Sequence, residues 1–556
     1  MNFFCSKDCP DLCGAEVSLA GRGLLGKGVA EPWSTPGFLC SKFKIFAARE
    51  IANGQMSWRR EGDQRRRFDD PAEALAALAD YLQAYRDKKI LYLRGSGSLA
   101  YNMACWDQLF SGFADCWSIS GGPCDDTGSD AHLADFGALT NPDVANLEQA
   151  DSIILYGKNA AATSPHFYAF LKKLKKQGKR LIYIDPVGTR TAELADRFIL
   201  INPGCDGLLA CALLCELGLE SGYNVAELLD LAGVNRENFN DLLNCIRNGR
   251  TAHVQGIGLQ RQRNGMNAFR WINRLAVRTG QEDLLYYSHS SRRQWLKPVK
   301  RFAGQVHVDS IAQKLADGEF DLFVNVASNP AMTFPDSNLW RAGLNRTPSL
   351  VIDTNQCETA EAADFFLKVG GMFAQEDFMG SNFFPHDYSR GRITDELNDL
   401  SAARQLAEQL DIPMDIGGRD QPPRVKQPTR RYREVELDLV VPEKPNCFQL
   451  ITSSHQSYLN SQILPGMEKD LQVIHIATAD AERLGITAGN DLRVSGPCGS
   501  FVGTALPTDR IALQTLMCWK NIPMKEGQTN DAIPNELTDA GSGLAYYAAM
   551  VELERV

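Results

Sequence analysis

The chain of 556 residues lacks several features that would assign it to a particular class of protein. It has no run of about 18 apolar residues, the length that a membrane-spanning helix needs. The most apolar segment, 208–219, is interrupted by Glu216 and is typical of a buried core helix. No signal peptide or twin-arginine leader precedes the first cysteine, so we expect a cytoplasmic protein without a membrane span.

Strong positive charge is also missing. The formal net charge is -10, and no acidic or basic tail accounts for it. Non-specific nucleic-acid binding needs a basic surface, so we expect no nucleic-acid partner. The basic runs are short, and the lysines of 172–176 follow an apolar stretch at helical spacing, which is typical of a solvated helix face.

Cysteine, by contrast, is plentiful, with 15 residues. Disulfides are rare in a reducing compartment, and a local cluster of cysteines there indicates metal binding. Three residues separate Cys5 from Cys9 and Cys9 from Cys13, and Cys40 follows later. Soft thiolates suit an iron–sulfur cluster or zinc. Structural zinc sites more often pair two CxxC hairpins, so the spacing favours a 4Fe–4S cluster over zinc.

The rest of the chain alternates apolar strands with helices. Strands are predicted at 152–157, 180–185 and 251–256, and helices at 165–176 and 267–279. Continuous apolar strands separated by helices predict parallel sheets covered on both faces. Residues 417–434 are rich in Gly, Pro and Arg and are predicted to form an exposed linker. The short strands and turns beyond it predict a C-terminal β-barrel domain.

The N-terminal motif is similar to that of a known family. The segment Cys5-Ser6-Lys7-Asp8-Cys9-Pro10-Asp11-Leu12-Cys13, followed by Pro36-Gly37-Phe38-Leu39-Cys40-Ser41-Lys42, resembles the 4Fe–4S motif of the molybdopterin oxidoreductases of the dimethyl sulfoxide reductase superfamily. The resemblance implies that the four cysteines bind the cluster. It also implies that Lys42 lies between cluster and pterin and assists electron transfer; the alternative is an exposed surface lysine.

The segment Gly121-Gly122-Pro123-Cys124-Asp125-Asp126-Thr127-Gly128 resembles the one that supplies the protein ligand to molybdenum or tungsten. Cys124 stands at the ligand position, and a helix N-terminus would favour its thiolate. The alternative is a buried structural cysteine. We interpret Asp125, with Asp126, either as a proton-transfer group beside the metal or as a cap of the following helix.

Further segments, in the family's order, resemble loops that hold two copies of a pyranopterin guanine dinucleotide. Turns from strand to helix bind anionic ligands through backbone N–H groups and the helix dipole. For the acid that ends strand 180–185, the alternative is a cap of the next helix. The residues implied are Gly157, Asn159, Asp185, Pro186, Thr189, Asp206, Gly256, Gly258, Asn329, Thr452, His455, Asn460 and Asn535.

The predicted fold is α/β and multi-domain, with helices flanking parallel sheets in two dinucleotide-binding-like domains. The units expected are an iron–sulfur domain (1–52), a discontinuous α/β domain (53–120 and 346–432), a pterin dinucleotide-binding domain (121–345) and a cofactor-covering β-barrel (433–556). One departure lies after the family's Ala-Asp motif, where Leu367-Lys368-Val369 replaces Leu-Pro-Ala.

The resemblance implies a Mo- or W-dependent two-electron oxidoreductase that acts on a small-molecule substrate. Electrons would pass through the 4Fe–4S cluster to a redox partner subunit, ferredoxin-like or flavin-containing. Formate is disfavoured as substrate, because Asp125 follows Cys124 where formate dehydrogenases have histidine. The alternative is a cluster-bearing scaffold subunit of a larger complex that lacks the metal pterin. A zinc-stabilised binding module would leave the later segments unexplained.

Overall fold

The computed structural model describes residues 2–20, 23–29, 37–51, 54–287, 301–381, 384, 387–416, 428–443 and 447–556. Pro36 of the N-terminal motif and residues 417–427 of the predicted linker lie outside these ranges. The strands in chain order are β1 (Asn2–Phe4), β2 (Gly14–Ala20), β3 (Gly23–Gly28), β4 (Ser57–Glu61), β5 (Gln64–Phe68), β6 (Ile90–Arg94), β7 (Cys116–Ser120), β8 (Ser152–Tyr156), β9 (Arg180–Asp185), β10 (Arg197–Leu200), β11 (Thr251–Gln255), β12 (Leu285–Tyr287), β13 (Gly304–His307), β14 (Leu322–Val326), β15 (Ser349–Asp353), β16 (Phe365–Lys368), β17 (Asp377–Gly380), β18 (Asp387–Arg390), β19 (Phe448–Ser453), β20 (Val473–Ala477), β21 (Asp491–Gly496), β22 (Gly499–Thr508), β23 (Thr515–Trp519) and β24 (Met550–Arg555).

Helices separate most of these strands up to β16. In chain order they are α1 (Lys42–Glu50), α2 (Pro71–Gln83), α3 (Ala104–Phe110), α4 (Asp126–Phe136), α5 (Ala160–Thr163), α6 (Pro165–Lys176), α7 (Arg190–Leu194), α8 (Asp206–Glu216), α9 (Val225–Ala232), α10 (Arg236–Asn248), α11 (Gly265–Arg278), α12 (Ile311–Ala316), α13 (Pro330–Thr333), α14 (Ser337–Arg346), α15 (Glu358–Ala362), α16 (Asp399–Gln409) and α17 (Thr478–Arg483). Within the part of the chain that the structure describes, no helix combines the length and apolar character needed to cross a bilayer.

A five-stranded parallel sheet lies in the middle of the chain, in the order β10-β9-β8-β11-β12. Every residue of β8 and β11 is buried. In β8, Ile153 and Leu155 pack against α6, while Ile154 and Tyr156 face α8 and α11 on the other side. Helices on both faces explain why these strands are apolar throughout, and the prediction of covered parallel sheets is confirmed.

A second sheet has eight strands in the order β13-β7-β6-β14-β15-β16-β4-β5. Its first six strands are parallel, and the hairpin β4-β5 adds an antiparallel edge. The boundary predicted at residue 345 is wrong, because it assigns β13 and β14 to the other α/β unit. Both strands return to the eight-stranded sheet, where β14 lies between β6 and β15.

The C-terminal strands close into a barrel in the order β19-β23-β20-β22-β21-β24, as predicted. Residues 428–443, ahead of the barrel, have no regular secondary structure. Most of their side chains are exposed, but the N–H groups of Arg431 and Arg433 donate to the carbonyls of Phe136 and Asp135 at 3.1 and 2.7 Å. This part of the predicted linker is therefore fastened to the end of α4.

The N-terminal unit is an antiparallel sheet, β1-β2-β3, packed on α1. Phe3 stacks on Phe373 at 5.1 Å between ring centroids, and Arg390 Nη1 donates to the carbonyl of Phe4 at 3.1 Å. These contacts hold the cysteine-bearing segment against the eight-stranded half of the molecule.

Candidate functional site

A large cavity lies where the N-terminal unit, the two parallel sheets and the barrel meet. Its walls include the residues that directly follow β6, β7, β8, β9, β14 and β15, and residues of the loop after β11, so the carboxyl ends of strands from both sheets open into it. Ligands of open α/β sheets bind at this edge. The barrel covers the cavity with residues that follow β19 and β23.

Most of the predicted site residues line this cavity. Those that do are Lys42, Cys124, Asp125, Gly157, Asn159, Asp185, Pro186, Asp206, Gly258, Asn329, Thr452 and Asn460. Thr189, Gly256, His455 and Asn535, which the structure also describes, are not among the lining residues, and neither are Cys5, Cys9, Cys13 and Cys40.

The glycines of the turns after β8 and β11 allow two backbone segments to touch. Gly157 has φ +54° and donates its N–H to the carbonyl of Ile184 at 2.9 Å. A Cβ on Gly256 would lie 2.1 Å from the carbonyl oxygen of Gly157, and one on Gly258 would lie 2.9 Å from it. Gly256 is therefore required by close packing of the two loops behind the cavity wall.

Two carboxyl groups, the half-buried Asp185 and the buried Asp206, lie at the end of the cavity formed by the five-stranded sheet. Asp185 accepts hydrogen bonds from the Tyr183 hydroxyl at 2.6 Å and the Val187 N–H at 2.9 Å. Burial raises the pKa of Asp185 to about 7. Burial, with the neighbouring charge of Asp185, also raises the pKa of Asp206 to about 7. Both carboxyl groups line the cavity.

The alternative reading of Asp185 as a helix cap is wrong. The cap of α7 is Thr189, whose hydroxyl accepts from the N–H of Thr191 at 3.3 Å. Thr189 also lies 3.1 Å from the Tyr183 hydroxyl. Its position therefore supports the loop that carries Asp185. Asn159 does line the cavity, and its Oδ1 accepts from Thr191 Oγ1 at 3.1 Å.

Cys124 lies in the turn between β7 and α4. Gly121 has φ +72°, and the N–H of Gly122 donates to the carbonyl of Ser542 at 2.9 Å, which fastens the turn to the barrel domain. The Cys124 Sγ lies 4.0 Å from Asp8 Oδ2. Burial, followed by the charges of Asp8 and Asp125, raises the pKa of the Cys124 thiol well above its usual value.

Asp125 occupies the position before α4, yet its side chain makes no capping hydrogen bond there. Its carbonyl oxygen accepts from the Tyr287 hydroxyl and from Ser129 Oγ, both at 2.8 Å. The side chain is buried and faces the cavity. Of the two readings, the geometry favours a group directed at the cavity over a cap.

The four N-terminal cysteines lie behind the cavity and influence one another. Burial is the largest cause of the raised pKa of Cys5 (about 12), Cys9 and Cys13, and the charge of Cys40 adds to it in all three. Among the residues described, no three His, Cys, Asp or Glu side chains come close enough to hold one metal ion.

Lys42 lies between these cysteines and the cavity. It is 6% exposed, so the reading as a surface lysine is wrong. Its Nζ donates to the carbonyl of Ala162 at 2.6 Å. Burial lowers the pKa of Lys42, while the thiols of Cys9 and Cys40 act in the opposite direction.

Buried polar contacts also join the cysteine segment to the start of α6 and order the turn after β8. Asp11 Oδ2 accepts from the His166 N–H at 2.7 Å, and Lys158 Nζ donates to Ser164 Oγ at 2.6 Å. Burial raises the pKa of Asp11 to about 6, and the positive charge of Lys158 opposes that shift. The sequence reading did not select either residue.

Of the predicted cofactor-binding residues after residue 300, some line the cavity and others contact only the surrounding protein. Asn329 Nδ2 donates to Glu358 Oε2 at 2.6 Å, and its Oδ1 accepts from Thr359 Oγ1 at 2.9 Å. Asn460, with φ +51°, accepts from Lys520 Nζ at 2.8 Å. Asn535 Nδ2 donates to the carbonyl of Asp309, which directs it away from the cavity.

The two barrel-loop residues differ in the same way. Thr452 lines the cavity, and its carbonyl accepts from the Tyr547 hydroxyl at 3.1 Å. His455 lies against the rings of Tyr458 and Trp519, with centroids 5.4 and 4.7 Å away. Burial lowers the pKa of His455, and the charge of Lys42 lowers it further.

Sequence reasoning also missed cavity residues. Asp8, Lys158, Arg261 and Lys520 all line it. Asp8 fell within the N-terminal cysteine motif, but nothing in its spacing marked the side chain as facing a site. Lys520 directly follows β23, and a β-barrel pattern indicates the strand without indicating what its end faces.

Comparisons with known proteins agree with this arrangement. The molybdopterin oxidoreductase family matches residues 72–367, and the molybdopterin dinucleotide binding domain matches residues 448–550. The first match covers more than half of the chain, from α2 into β16, and includes the five-stranded sheet and the parallel part of the eight-stranded sheet. The second coincides with the barrel.

Similar curated proteins include two from Bacillus subtilis (strain 168). The probable oxidoreductase YyaE is 24% identical, over 70% of this chain and 65% of YyaE, just under two thirds of its length. The probable oxidoreductase YoaE is 22% identical over 99% of this chain and 98% of YoaE. The assimilatory nitrate reductase catalytic subunit of the same organism is 24% identical over 44% of this chain and 43% of that protein.

Among solved structures, the acetylene hydratase from Pelobacter acetylenicus superimposes with a TM-score of 0.75, covers 100% of both chains and is 12% identical. At that identity the likeness establishes the fold. Together with the family matches over both sheets and the barrel, it leads to one conclusion: the chain belongs to the molybdopterin oxidoreductase family and is a molybdopterin-dependent enzyme.

Proposed function

We propose that the chain is a Mo- or W-dependent two-electron oxidoreductase that holds a bis-pyranopterin guanine dinucleotide in the cavity and a 4Fe–4S cluster beside it. The observation that carries the proposal is the position of Lys42. This buried lysine lies between the four-cysteine segment and a cavity lined by Cys124 and by the carboxyl ends of strands from both sheets.

The cavity residues fit the pterin cofactor. Asp185 is half-buried and Asp206 buried, and among the described residues no cation is a cause of either carboxyl pKa; the ring N–H donors of guanine complement such groups. The turns at Gly157 and Gly258 bring backbone close to the cavity, where N–H groups suit phosphate oxygens. When bound, the pterin-held metal exchanges two electrons with the substrate. Cys124 would supply the protein's sulfur ligand to that metal.

The donor set at the N-terminus fits an iron–sulfur cluster. A cubane takes one thiolate per iron, so its four ligands need not meet at a single point. Burial is the largest cause of the raised pKa of all four thiols, and the charge of Cys40 adds to it at Cys5, Cys9 and Cys13, so the four are held near one another. Cationic iron would stabilise their thiolate forms. Electrons would leave through this cluster to a ferredoxin-like or flavin-containing partner subunit. The cytoplasmic location stays a prediction.

The competing function is a cluster-bearing scaffold subunit without the metal pterin. Such a chain needs no sulfur ligand at the cavity. Here Cys124 lines the cavity just before α4, and the carboxyl groups of Asp185 and Asp206 remain at the proposed guanine end. These features favour the enzyme.

Metal analysis of anaerobically purified protein tests the proposal. We expect about four Fe and one Mo or W per chain after expression in a host that makes the pterin cofactor. About four Fe without Mo or W would support the scaffold instead.

The variant Cys124→Ser then tests the ligand. X-ray absorption at the Mo or W edge should show one sulfur ligand fewer, with Fe content unchanged and substrate turnover lost. The matched control is Cys498→Ser, which is also half-buried but lies outside the cavity. An unchanged sulfur count in Cys124→Ser would remove Cys124 from the metal site.

A further inference from the structure

A buried ion pair joins the cysteine segment to the end of α1. Lys7 Nζ contacts Glu50 Oε1, and the two side chains are 6% and 2% exposed. The ammonium of Lys7 also lies 5.3 Å from the ring centroid of Phe46. Both charges are therefore held away from bulk water, where their electric field is screened only weakly.

Lys7 stands midway between two of the predicted cluster ligands. It is two residues from Cys5 and two from Cys9. Because consecutive Cα atoms are about 3.8 Å apart, the Cα of Lys7 lies within about 7.6 Å of the Cα atoms of both cysteines. Lys7 also lines the cavity, whereas Glu50 does not. The lysine is thus the member of the pair that belongs to the cysteine segment, and the glutamate is its counter-charge from α1.

The loop after β16 has the shape that this glutamate needs. The N–H of Met372 donates to Glu50 Oε2 at 2.9 Å. A Cβ on Gly371 would lie 1.9 Å from the same oxygen, so only glycine fits there. Gly371 closely follows Leu367-Lys368-Val369, where the chain departs from the Leu-Pro-Ala pattern expected after the Ala-Asp motif. The departure therefore coincides with the loop that receives Glu50.

Stability alone is a weak reason to bury such a pair. The cost of removing two charges from water offsets most of their attraction, and apolar residues of similar volume often serve equally well. The neighbours are suited to such residues, since Phe43, Phe46, Met372 and Phe373 form an apolar cluster around the N-terminal unit. An ion pair can do one thing that apolar residues cannot, which is to act on a redox centre through its electric field.

The charges of both partners reach the cysteine segment. Burial is the largest cause of the raised pKa of the Cys5 thiol; beyond it, the charge of Lys7 lowers this pKa, and that of Glu50, with a smaller effect, raises it. A charge that favours a thiolate over a thiol also favours the more negative, reduced form of a cluster bound at the same sulfur.

We propose that the Lys7–Glu50 pair sets the reduction potential of the 4Fe–4S cluster, with Lys7 raising the potential and Glu50 limiting the rise. This inference rests on the proposed function, which supplies the cluster. The step concerned is the reversible gain of one electron, from the partner or from the pterin-held metal; no bond forms or breaks, and no proton is needed. Because the reduced form carries one more negative charge, Lys7 stabilises it relative to the oxidised form, and Glu50 offsets part of that effect.

The test is a redox titration of the anaerobic holoenzyme. Dye mediators set the potential, and the electron paramagnetic resonance signal of the reduced cluster gives the ratio of reduced to oxidised protein. The variants are Glu50→Gln, Lys7→Met and the double variant, which leaves neither charge unpaired. Fe, Mo or W and pterin contents are measured for each protein.

The matched control is Glu396→Gln. Glu396 pairs with Lys368 at 3.0 Å and lies beside Gly370, in the same loop after β16. Its side chain, however, is 32% exposed, and its lysine lies outside the cysteine segment. This variant removes a carboxylate and disturbs the same loop, but water screens the charge that it removes.

At the midpoint potential of wild type, Glu50→Gln should shift the ratio about 3- to 30-fold toward the reduced form, as expected for removal of a weakly screened unit charge about 10 Å away. Lys7→Met should shift the ratio toward the oxidised form. The double variant should lie between the two single variants, and Glu396→Gln should stay within about twofold of wild type. A tenfold change in this ratio corresponds to about 59 mV for a one-electron couple.

Three results would overturn the inference. A wild-type ratio in Glu50→Gln and in the double variant, with Fe content unchanged, would show that the pair only stabilises the fold. A shift of Glu50→Gln toward the oxidised form would exclude an effect of its charge. Loss of Fe from all three variants would assign the pair to retention of the cluster. If wild type itself lacks Fe, the proposed cluster fails as well, and the iron count of wild type distinguishes that case from the other three.

Discussion

Replacing Asp206 with asparagine should stabilise the cofactor-free protein at alkaline pH. The change keeps the shape of the side chain and removes its charge. Asp206 is 6% exposed at the first turn of α8, and burial raises its pKa from 3.8 to about 7. That difference corresponds to ~4 kcal/mol of unfavourable interaction for the charged form. Water that enters the cavity screens part of it, so we expect a gain of about 1 to 3 kcal/mol.

The sign follows from proton binding. Between about pH 4 and 7 the folded chain keeps a proton on Asp206 that the unfolded chain has lost. Unfolding in this window releases a proton, so the free energy of unfolding of wild type falls as pH rises and levels off above 7. The asparagine variant lacks this contribution. The two proteins should therefore be similar near pH 4 and differ most at pH 8.

The assay is urea unfolding of protein made in a host without the pterin pathway, at pH 5 and pH 8. A useful control is Asp196→Asn, which should lower stability at pH 7. Burial alone would raise the pKa of Asp196, but the N–H of Leu181 and the ammonium of Lys175 lower it. Equal or lower stability of Asp206→Asn at pH 8 would refute the argument. In the holoenzyme the order should reverse, because the variant loses the carboxylate proposed to hold guanine.

Two further predictions concern the loops and the electron path. Gly256→Ala places a Cβ 2.1 Å from the Gly157 carbonyl oxygen and should lower the free energy of unfolding, measured in urea, by about 2 to 4 kcal/mol. Gly258→Ala, whose Cβ would lie 2.9 Å from the same oxygen, should lower it less. An equal loss of stability in the two variants would mean that this close contact is not the cause. Lys42→Met removes the hydrogen bond to the carbonyl of Ala162. Reoxidation of the reduced cluster by substrate, followed by stopped-flow absorbance, should be about 10- to 100-fold slower, while the Fe and Mo or W contents stay unchanged. An unaltered rate would place Lys42 outside the electron path.

Local sequence signals predicted the helices and strands that carry the cofactor loops well. The predicted helix 165–176 coincides with α6, because proline at its first position and lysines in its last turn mark both ends. Strand 180–185 coincides with β9, whose apolar residues are needed on both faces. The barrel was also predictable, since closely spaced short strands with intervening turns fold into few other architectures.

Strand pairing and side-chain contacts between segments that are distant in the sequence were harder to predict. Nothing local to β13 and β14 reveals that they return to the sheet begun by β6, so the boundary at 345 was wrong. Asn535 and Thr189 lie in motifs of the right order, yet one hydrogen-bonds Asp309 and the other caps α7. The positions of Arg261 and Lys520 on the cavity wall depend on where two loops lie after packing, which no spacing in the sequence encodes.

The attachment of the N-terminal unit has a consequence for biosynthesis. Phe4 is synthesised 386 residues before its hydrogen-bond partner Arg390, and Asp11 155 residues before His166. At 5–20 residues per second, the cysteine segment waits about 20 to 80 seconds for its last anchor. The barrel closes later still, when β24 pairs with β19 and β21. During translation the four cysteines are therefore exposed, and the cavity is not yet covered by the barrel. A maturation factor has access to both in this period.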